Sequence, residues 1–227
     1  MEPLTLYLGN KNYSSWSLRP WLAMRLAGLS FREEIITLDA PGTRREILRH
    51  SPAGRVPILK HGARTIWDSM AICEYIAELA PKARLWPEDP SSRATARSVS
   101  MEMHAGFAAM RNELSMNITG HFPDKKRSPD AEADVARVLS IWRECRARLP
   151  AGGPFLFGHF TIADAMYAPV VSRFRSFDVA LDGVLSAYSD AVWNIGPMQD
   201  WIAAARAEPK LPLHEAASSG TDGYDSR

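Results

Sequence analysis

The hydrophobic pattern changes character near residue 80, and that change restricts the fold of these 227 residues more than any other feature. Before it, short apolar stretches at 4–8, 34–38, 56–60 and 64–67 read as strands. Between them, residues 16–27, 43–49 and 69–79 repeat apolar side chains at helical spacing. The order β-α-β-α-β-β-α predicts a small mixed sheet covered by helices. Residues 81–92 are rich in proline and charge and read as a linker. Beyond them strand signals nearly vanish. Helices are expected over 93–120, 130–149, 161–174, 183–190 and 197–207. The expected division is therefore an α/β domain over 1–80, a linker over 81–92 and an all-helical domain over 93–214. The last stretch, 215–227, is rich in Ser, Gly and Asp and is expected to be disordered. No internal repeat is visible.

Composition limits the functional classes. Hydrophobic residues make up 46% of the chain, enough for a substantial core, yet no apolar run reaches membrane-spanning length. The N-terminus carries no basic-then-apolar leader pattern. A formal net charge of +1 offers no reason to expect nucleic acid or an anionic membrane as partner. The two cysteines, Cys73 and Cys145, fall in separate helical patterns, which suits reduced, packed thiols and a cytoplasmic location. The six histidines show no metal-ligand spacing, and there is no glycine-rich phosphate loop, so neither metal nor nucleotide is implied.

Three short motifs carry the chemistry. Asn12-Tyr13-Ser14-Ser15-Trp16-Ser17-Leu18-Arg19 joins the first strand to the first helix. Backbone N–H groups are unpaired there and the helix dipole is positive, so an anion is stabilised, and a serine hydroxyl adds a donor. A plainer reading of Ser14, Ser15 and Ser17 is that they are N-cap residues. Next, Ser51-Pro52-Ala53-Gly54-Arg55-Val56-Pro57 leads into a strand, and a cis Val56-Pro57 bond would turn the Val56 N–H and C=O outward. Finally, Asp68 and Ser69 stand where a third helix begins, again a position that favours an anion.

In this order and spacing the motifs resemble those of cytosolic glutathione transferases, over roughly residues 4–214. Leu85-Trp86-Pro87-Glu88-Asp89-Pro90 between the domains and Phe160-Thr161-Ile162-Ala163-Asp164 in the second domain add to the resemblance. Ser14-Ser15-Trp16-Ser17-Leu18-Arg19 is most like the S-S-C-S-W-R loop of zeta-class, serine-type members. The resemblance implies a thioredoxin-like glutathione-binding domain followed by a helical bundle. It also implies glutathione as co-substrate, a homodimer, and a role in detoxification.

The implied chemistry is activation of the glutathione thiol. A hydrogen bond donated to sulfur favours the anionic form, and at a helix N-terminus a thiol pKa falls into the range of about 3.5–7.5. The resemblance aligns Ser14 with the family's leading catalytic serine. Ser15 stays open as the second candidate, and its backbone N–H is a possible donor too. The resemblance further implies that Val56 pairs its backbone with the glutathione cysteinyl group, with Pro57 holding that geometry. Ser69 would take the γ-glutamyl carboxylate, with Asp68 near the amino group. Arg55, or more weakly His50, would meet the glycyl carboxylate; an ordinary solvated loop charge is the alternative for both. Thr161-x-x-Asp164 reads as a capping box and is assigned a structural role.

The second substrate is expected against the helix that starts near residue 93. Met103, Phe107, Met110 and Leu114 would share one face of it, flanked by His104 and Arg111, with Tyr13 and Trp16 as the opposite wall; plain core packing is the alternative for the apolar stripe. The expected activity is attack of a serine-stabilised thiolate on a small hydrophobic electrophile. Alternatives are a zeta-type cis-trans isomerase of the maleylacetoacetate kind, a glutathione-dependent lyase or peroxidase, and a non-catalytic ligand carrier or interaction protein. The chain departs from the zeta pattern where Trp16 replaces a cysteine and Leu18 a tryptophan. The zeta arginine that holds a substrate carboxylate falls on Ser176, with Arg173 and Arg175 nearby.

Overall fold

The computed structural model describes residues 2–147 and 152–219. Strand β1 (Leu4–Leu8) alternates buried and half-buried residues, as its sequence alternation predicts. It pairs in parallel with β2 (Arg32–Ile35) and antiparallel with β3 (Ile58–His61), which pairs antiparallel with β4 (Arg64–Ile66). The sheet order is β2-β1-β3-β4. Gly62 makes the tight β3–β4 turn with a positive φ of 57°, a conformation that costs glycine little.

The two faces of the sheet are covered differently. Leu4, Leu6, Leu8 and Leu59 pack into the main core with α1 (Ser15–Leu26) and α3 (Ser69–Leu79). Ile58 turns to the other face, where Ile36 and Ile47 complete a small cluster under α2 (Thr43–His50). Strands β2 and β3 are displaced by one to three residues from the expected 34–38 and 56–60, whereas the helices 43–49 and 69–79 agree to within one residue. Displacement is expected where short apolar runs carry no capping signal.

After a 3-10 turn at Pro81–Ala83 the chain is helical: α4 (Pro90–Ala105), α5 (Ala108–Glu113), α6 (Pro129–Ala147), α7 (Ile162–Ser176), α8 (Gly183–Trp193), α9 (Gly196–Ala207) and α10 (Pro212–Ser219). Asp89 caps α4 by accepting the Ser92 N–H at 2.7 Å, with Pro90 in the first turn, so the helix starts three residues before the expected 93. The expected single helix over 93–120 is broken. Gly106 leaves helical geometry and Phe107 adopts a left-handed φ of 58°. A Cβ at position 106 would stand 2.8 Å from the Glu102 carbonyl oxygen, so the break needs glycine. The Met110 N–H, at the start of α5, is taken by Asp134 of α6 at 3.0 Å.

The expected end of the 130–149 helix lies outside the described residues, and a further correction concerns the C-terminal stretch. Disorder was expected from residue 215, but 215–219 belong to α10, whose Ala217 and Ser218 are buried; residues 220–227 are outside the described residues.

Helix α7 is the axis of the second half, buried along almost its whole length and packed on α1, α4 and α8. Met166, Tyr167, Val170, Val171 and Phe174 are all 1% exposed or less. Each large apolar side chain so buried contributes about 1.5–3 kcal/mol. The capping box starts the helix: Asp164 accepts from the Thr161 N–H and hydroxyl and from the Leu156 N–H at 2.8 to 3.0 Å. Asp164→Ala strands three buried donors at once. Urea denaturation should report a loss of about 3 kcal/mol or more.

Candidate active site

The serine loop runs from Gly9 to Ser14 and delivers the chain into α1. Ser14 is the N-cap residue: its carbonyl accepts the Leu18 N–H at 3.3 Å, but its hydroxyl accepts no helix N–H. Its hydroxyl donates to Ser17 Oγ at 2.7 Å, and Ser17 Oγ also accepts the Gly9 N–H at 3.0 Å. The pair is buried, with Ser14 7% exposed and Ser17 fully covered. Ser15 opens the helix. Its N–H is held by the Tyr13 carbonyl at 3.1 Å, so the expectation that this N–H is available as a donor is corrected. Its hydroxyl has no hydrogen-bond partner among the described residues.

Downstream, Val56-Pro57 is cis, and neither the N–H nor the C=O of Val56 is bonded within the described residues. Asp68 caps α3 by accepting the Met70 N–H at 2.9 Å. Ser69, the first residue of that helix, is 1% exposed and its Oγ has no partner among the described residues. A buried hydroxyl at a helix N-terminus without an acceptor is what a carboxylate would complete. Arg55 is exposed beside the Val-Pro turn. His50 is engaged elsewhere: its ring stacks on Tyr7 at 4.0 Å, contacts Glu46 at 3.2 Å, and lines a surface cavity of about 550 Å³ between β2 and α2.

The wall beyond the serine loop is built by Trp16, His104 and Arg111. The Trp16 ring meets His104 edge-on at 5.2 Å, and the Arg111 guanidinium carbon lies 5.4 Å from its centre. His104 Nε2 lies 3.1 Å from Asp68 Oδ2, tying α4 to the start of α3, while its Nδ1 is buried without a partner among the described residues. Burial pulls the Asp68 carboxyl up, but the hydrogen bond and charge of His104 with the Met70 N–H outweigh it, leaving the group below its ordinary value. The apolar stripe is core. Met103, Phe107, Met110 and Leu114 are all buried in the main cluster, and the break at Gly106 removes the single shared face.

Tyr13 does not line that wall. It is 6% exposed, donates to Glu215 of α10 at 2.6 Å and stacks on His214 at 4.6 Å. Burial and then the Glu215 bond push its phenol up to about 12.

The sequence marks Ser17 only as an N-cap residue and Arg19 only as a charge that orients the loop, adds positive potential or forms an intradomain ion pair, and it does not place Arg173 at the site. Ser17 and Arg19 belong to the quoted loop motif, at i+3 from Ser14 and i+4 from Ser15, so helical spacing was their available signal. Nothing local to Arg173 marks it.

A mixed four-stranded sheet with this loop at its first helix, followed by a helical bundle, defines a thioredoxin-like domain with an appended all-helical region. Residues 13–79 match the family model of the glutathione S-transferase N-terminal domain, and residues 128–207 match that of the C-terminal domain. The chain belongs to the glutathione S-transferase family. It is 27% identical over 179 residues to a maleylacetoacetate isomerase of Rattus norvegicus, covering 78% of this chain and 80% of the relative. It is 34% identical to a maleylacetoacetate isomerase of Mus musculus over 47% of this chain, where it spans only 50% of that relative. Among solved structures, a maleyl pyruvate isomerase, described as a zeta-class bacterial glutathione S-transferase, superposes with TM-score 0.72 at 20% identity, covering 91% of this chain and 100% of that one. A glutathione transferase homologue from Burkholderia, solved with bound glutathione, gives TM-score 0.69 at 23% identity, covering 92% and 100%.

The Asp68 contacts carry a pH signature. Its native pKa lies below the unfolded value, so between the two the unfolded chain holds a proton that the native state does not. Its contribution is present above the unfolded value and is lost as pH falls through the native one. Urea midpoints measured from about pH 6 to about pH 3 should fall more steeply for the unmodified chain than for Asp68→Asn.

Proposed function

We propose that this chain is a glutathione transferase in which Ser14 stabilises the glutathione thiolate for attack on a small electrophile with an apolar face. The observation that carries this reading is the hydroxyl chain Gly9 N–H, Ser17, Ser14 at the start of α1. An O–H pair 2.7 Å apart can run in either direction. Ser14 donates to Ser17 in the unliganded site; with a thiolate beside Ser14, turning the pair so that Ser17, still accepting from Gly9, donates to Ser14 would release the Ser14 proton to the sulfur. A chain of bonds polarised one way makes its last donor stronger. A donor of that kind, at the positive end of a twelve-residue helix, favours the thiolate over the thiol. Ser15, with its free hydroxyl, is the second donor.

The remaining residues fit the tripeptide. Val56 offers an unbonded N–H and C=O for a short backbone ladder, with Pro57 behind it. Ser69 Oγ and the α3 N-terminus suit the γ-glutamyl carboxylate, and Asp68, with its carboxyl held ionised, suits the amino group. Arg55 is placed to meet the glycyl carboxylate. Trp16, His104 and Arg111 then face the electrophile, while Tyr13, Met103, Phe107 and Met110 support the site from within the core.

The maleylacetoacetate isomerase relatives favour a second reading, a glutathione-dependent cis-trans isomerase. Against it stands Ser176, at the position of the zeta arginine; it is buried and donates to the Asn117 carbonyl at 3.0 Å. Its neighbour Arg175 is turned to Asp190 and over Trp193. A cytoplasmic homodimer acting in detoxification is part of the same proposal. Sedimentation velocity should give twice the chain mass of 25.2 kDa.

Ultraviolet absorbance of bound glutathione against pH tests the mechanism. For the unmodified chain the thiolate should appear about two pH units below the free thiol near 8.5. Ser14→Ala should return the transition close to the free value, and Ser17→Ala, which never touches sulfur, should move it part of the way. Binding without any thiolate in the unmodified chain would favour the carrier reading instead.

A further inference from the structure

Helix α10 stands behind the serine loop, and the residue it grips is the one that precedes Ser14. The Tyr13 hydroxyl donates to Glu215 Oε1 at 2.6 Å and accepts the Leu211 N–H at 3.1 Å, so both of its roles are taken up by the stretch that opens α10. Its ring lies on His214. Glu215 is fixed in turn: the same Oε1 accepts from Asn117 Nδ2 at 2.9 Å, and Lys210 Nζ lies 3.6 Å away. The helix is anchored at further points. His214 Nε2 lies 2.7 Å from Asp39 Oδ2 in the loop between β2 and α2, Lys125 Nζ donates to the Ala217 carbonyl at 2.6 Å, and the Ser218 and Ser115 hydroxyls meet at 3.1 Å.

What Tyr13 does is passed directly to the serines. The Tyr13 and Ser14 N–H groups share the Asn10 carbonyl, at 3.1 and 2.8 Å, and the Tyr13 carbonyl holds the Ser15 N–H. A displaced Tyr13 ring therefore re-aims both candidate donors. The strength of a hydrogen bond depends steeply on distance and angle, and the Ser14 hydroxyl has to keep Ser17 within reach while facing sulfur. A loop that needed only to be covered could be packed under apolar side chains. A buried polar network whose members are each satisfied in one arrangement fixes a single conformation instead.

We propose that Glu215 is a positioning residue for Ser14: by holding Tyr13 it keeps the serine loop in the conformation that activates the thiol, so α10 governs thiolate formation from behind the site. This rests on the reading above in which Ser14 stabilises the glutathione thiolate. Glu215 itself bonds to Tyr13, Asn117 and Lys210 and to neither Ser14 nor Ser17, so it acts through Tyr13 alone.

The test compares Glu215→Ala, Glu215→Gln and Tyr13→Phe in the full chain by two measurements. One is the ultraviolet absorbance of bound glutathione thiolate against pH. The other is calorimetric affinity for S-methylglutathione, which has no thiol to ionise. Glu215→Ala and Tyr13→Phe should each raise the thiolate midpoint by about one pH unit, which is about tenfold less thiolate below the midpoints. Affinity for S-methylglutathione should change by less than about twofold. Glu215→Gln retains an oxygen that accepts from Tyr13 and Asn117, so its midpoint should stay close to that of the unmodified chain. Combining Glu215→Ala with Tyr13→Phe should shift the midpoint no further than either alone, because the two residues act as one unit. Where circular dichroism shows Glu215→Ala unfolded, Tyr13→Phe, which deletes one oxygen, decides the question. An unchanged midpoint in the folded variants, or thiolate and S-methylglutathione affinity lost in equal measure, would overturn the proposal. Glutathione bound without thiolate in the unmodified chain would overturn the Ser14 reading, and the proposal with it.

Discussion

The serine loop cannot satisfy its own backbone, and the architecture follows from how that need is met. Tight turns from Gly9 to Ser14 leave N–H and C=O groups pointing away from the sheet, and unpaired groups of this kind are expensive to bury. Partners come from 105 to 197 residues downstream. Glu208, after α9, accepts the Lys11 and Asn12 N–H groups at 2.9 and 3.4 Å, and Trp201 donates its indole N–H to the Lys11 carbonyl at 2.8 Å. Asn12 donates to Asn117 at 2.9 Å and accepts from Thr119 at 3.0 Å. The loop that presents Ser14 is thus held by the helical half as firmly as by the sheet that leads into it.

Helix α1 extends that constraint. Residues 17–24 are buried without interruption, because α3 covers the helix on one side and α7 on another, with α9 adding a third contact. Most helices at a protein surface keep one polar face for water. Here even the polar residues are enclosed: Ser17 closes the hydroxyl chain, and Arg19 carries its charge inward. Lys11 is handled differently, paired with Glu33 at 2.6 Å and set over the rings of Trp21 and Trp201. Arg19 also lies over a ring, that of Trp16 at 4.2 Å, but has no carboxylate within 4.0 Å among the described residues.

Much of the fold was legible because it is written in short-range signals. The α3 start at Asp68-Ser69 and the capping box at Thr161 and Asp164 are local motifs in which the capping group lies within a few residues of the N–H it satisfies; the Asp89-Pro90 start of α4 is equally local, yet its proline and charge read as linker. The break at Gly106 was missed although glycine after His104 and Ala105 is itself a stop signal, since apolar spacing continues across it and periodicity cannot register one left-handed residue. Helix α10 was missed because its Ser-rich composition argues for disorder. Its order comes from contacts made far away in sequence, such as Glu215 with Tyr13 and Asn117.

At the site the division is equally physical. The sequence by itself determined that hydroxyls and N–H donors would gather at the starts of α1 and α3, because strand-to-helix transitions and caps depend on neighbours a few residues apart. It also determined that Val56-Pro57 would sit at the entry of a strand. Only the tertiary structure decided that Ser14 is coupled to Ser17, that the Ser15 N–H is spent on Tyr13, and that Tyr13 faces α10 instead of the electrophile wall. It alone set Arg19 and Arg111 against one tryptophan and bonded Arg173 to the Arg111 carbonyl. Charge acts through space, so its balance depends on which distant residues packing brings together.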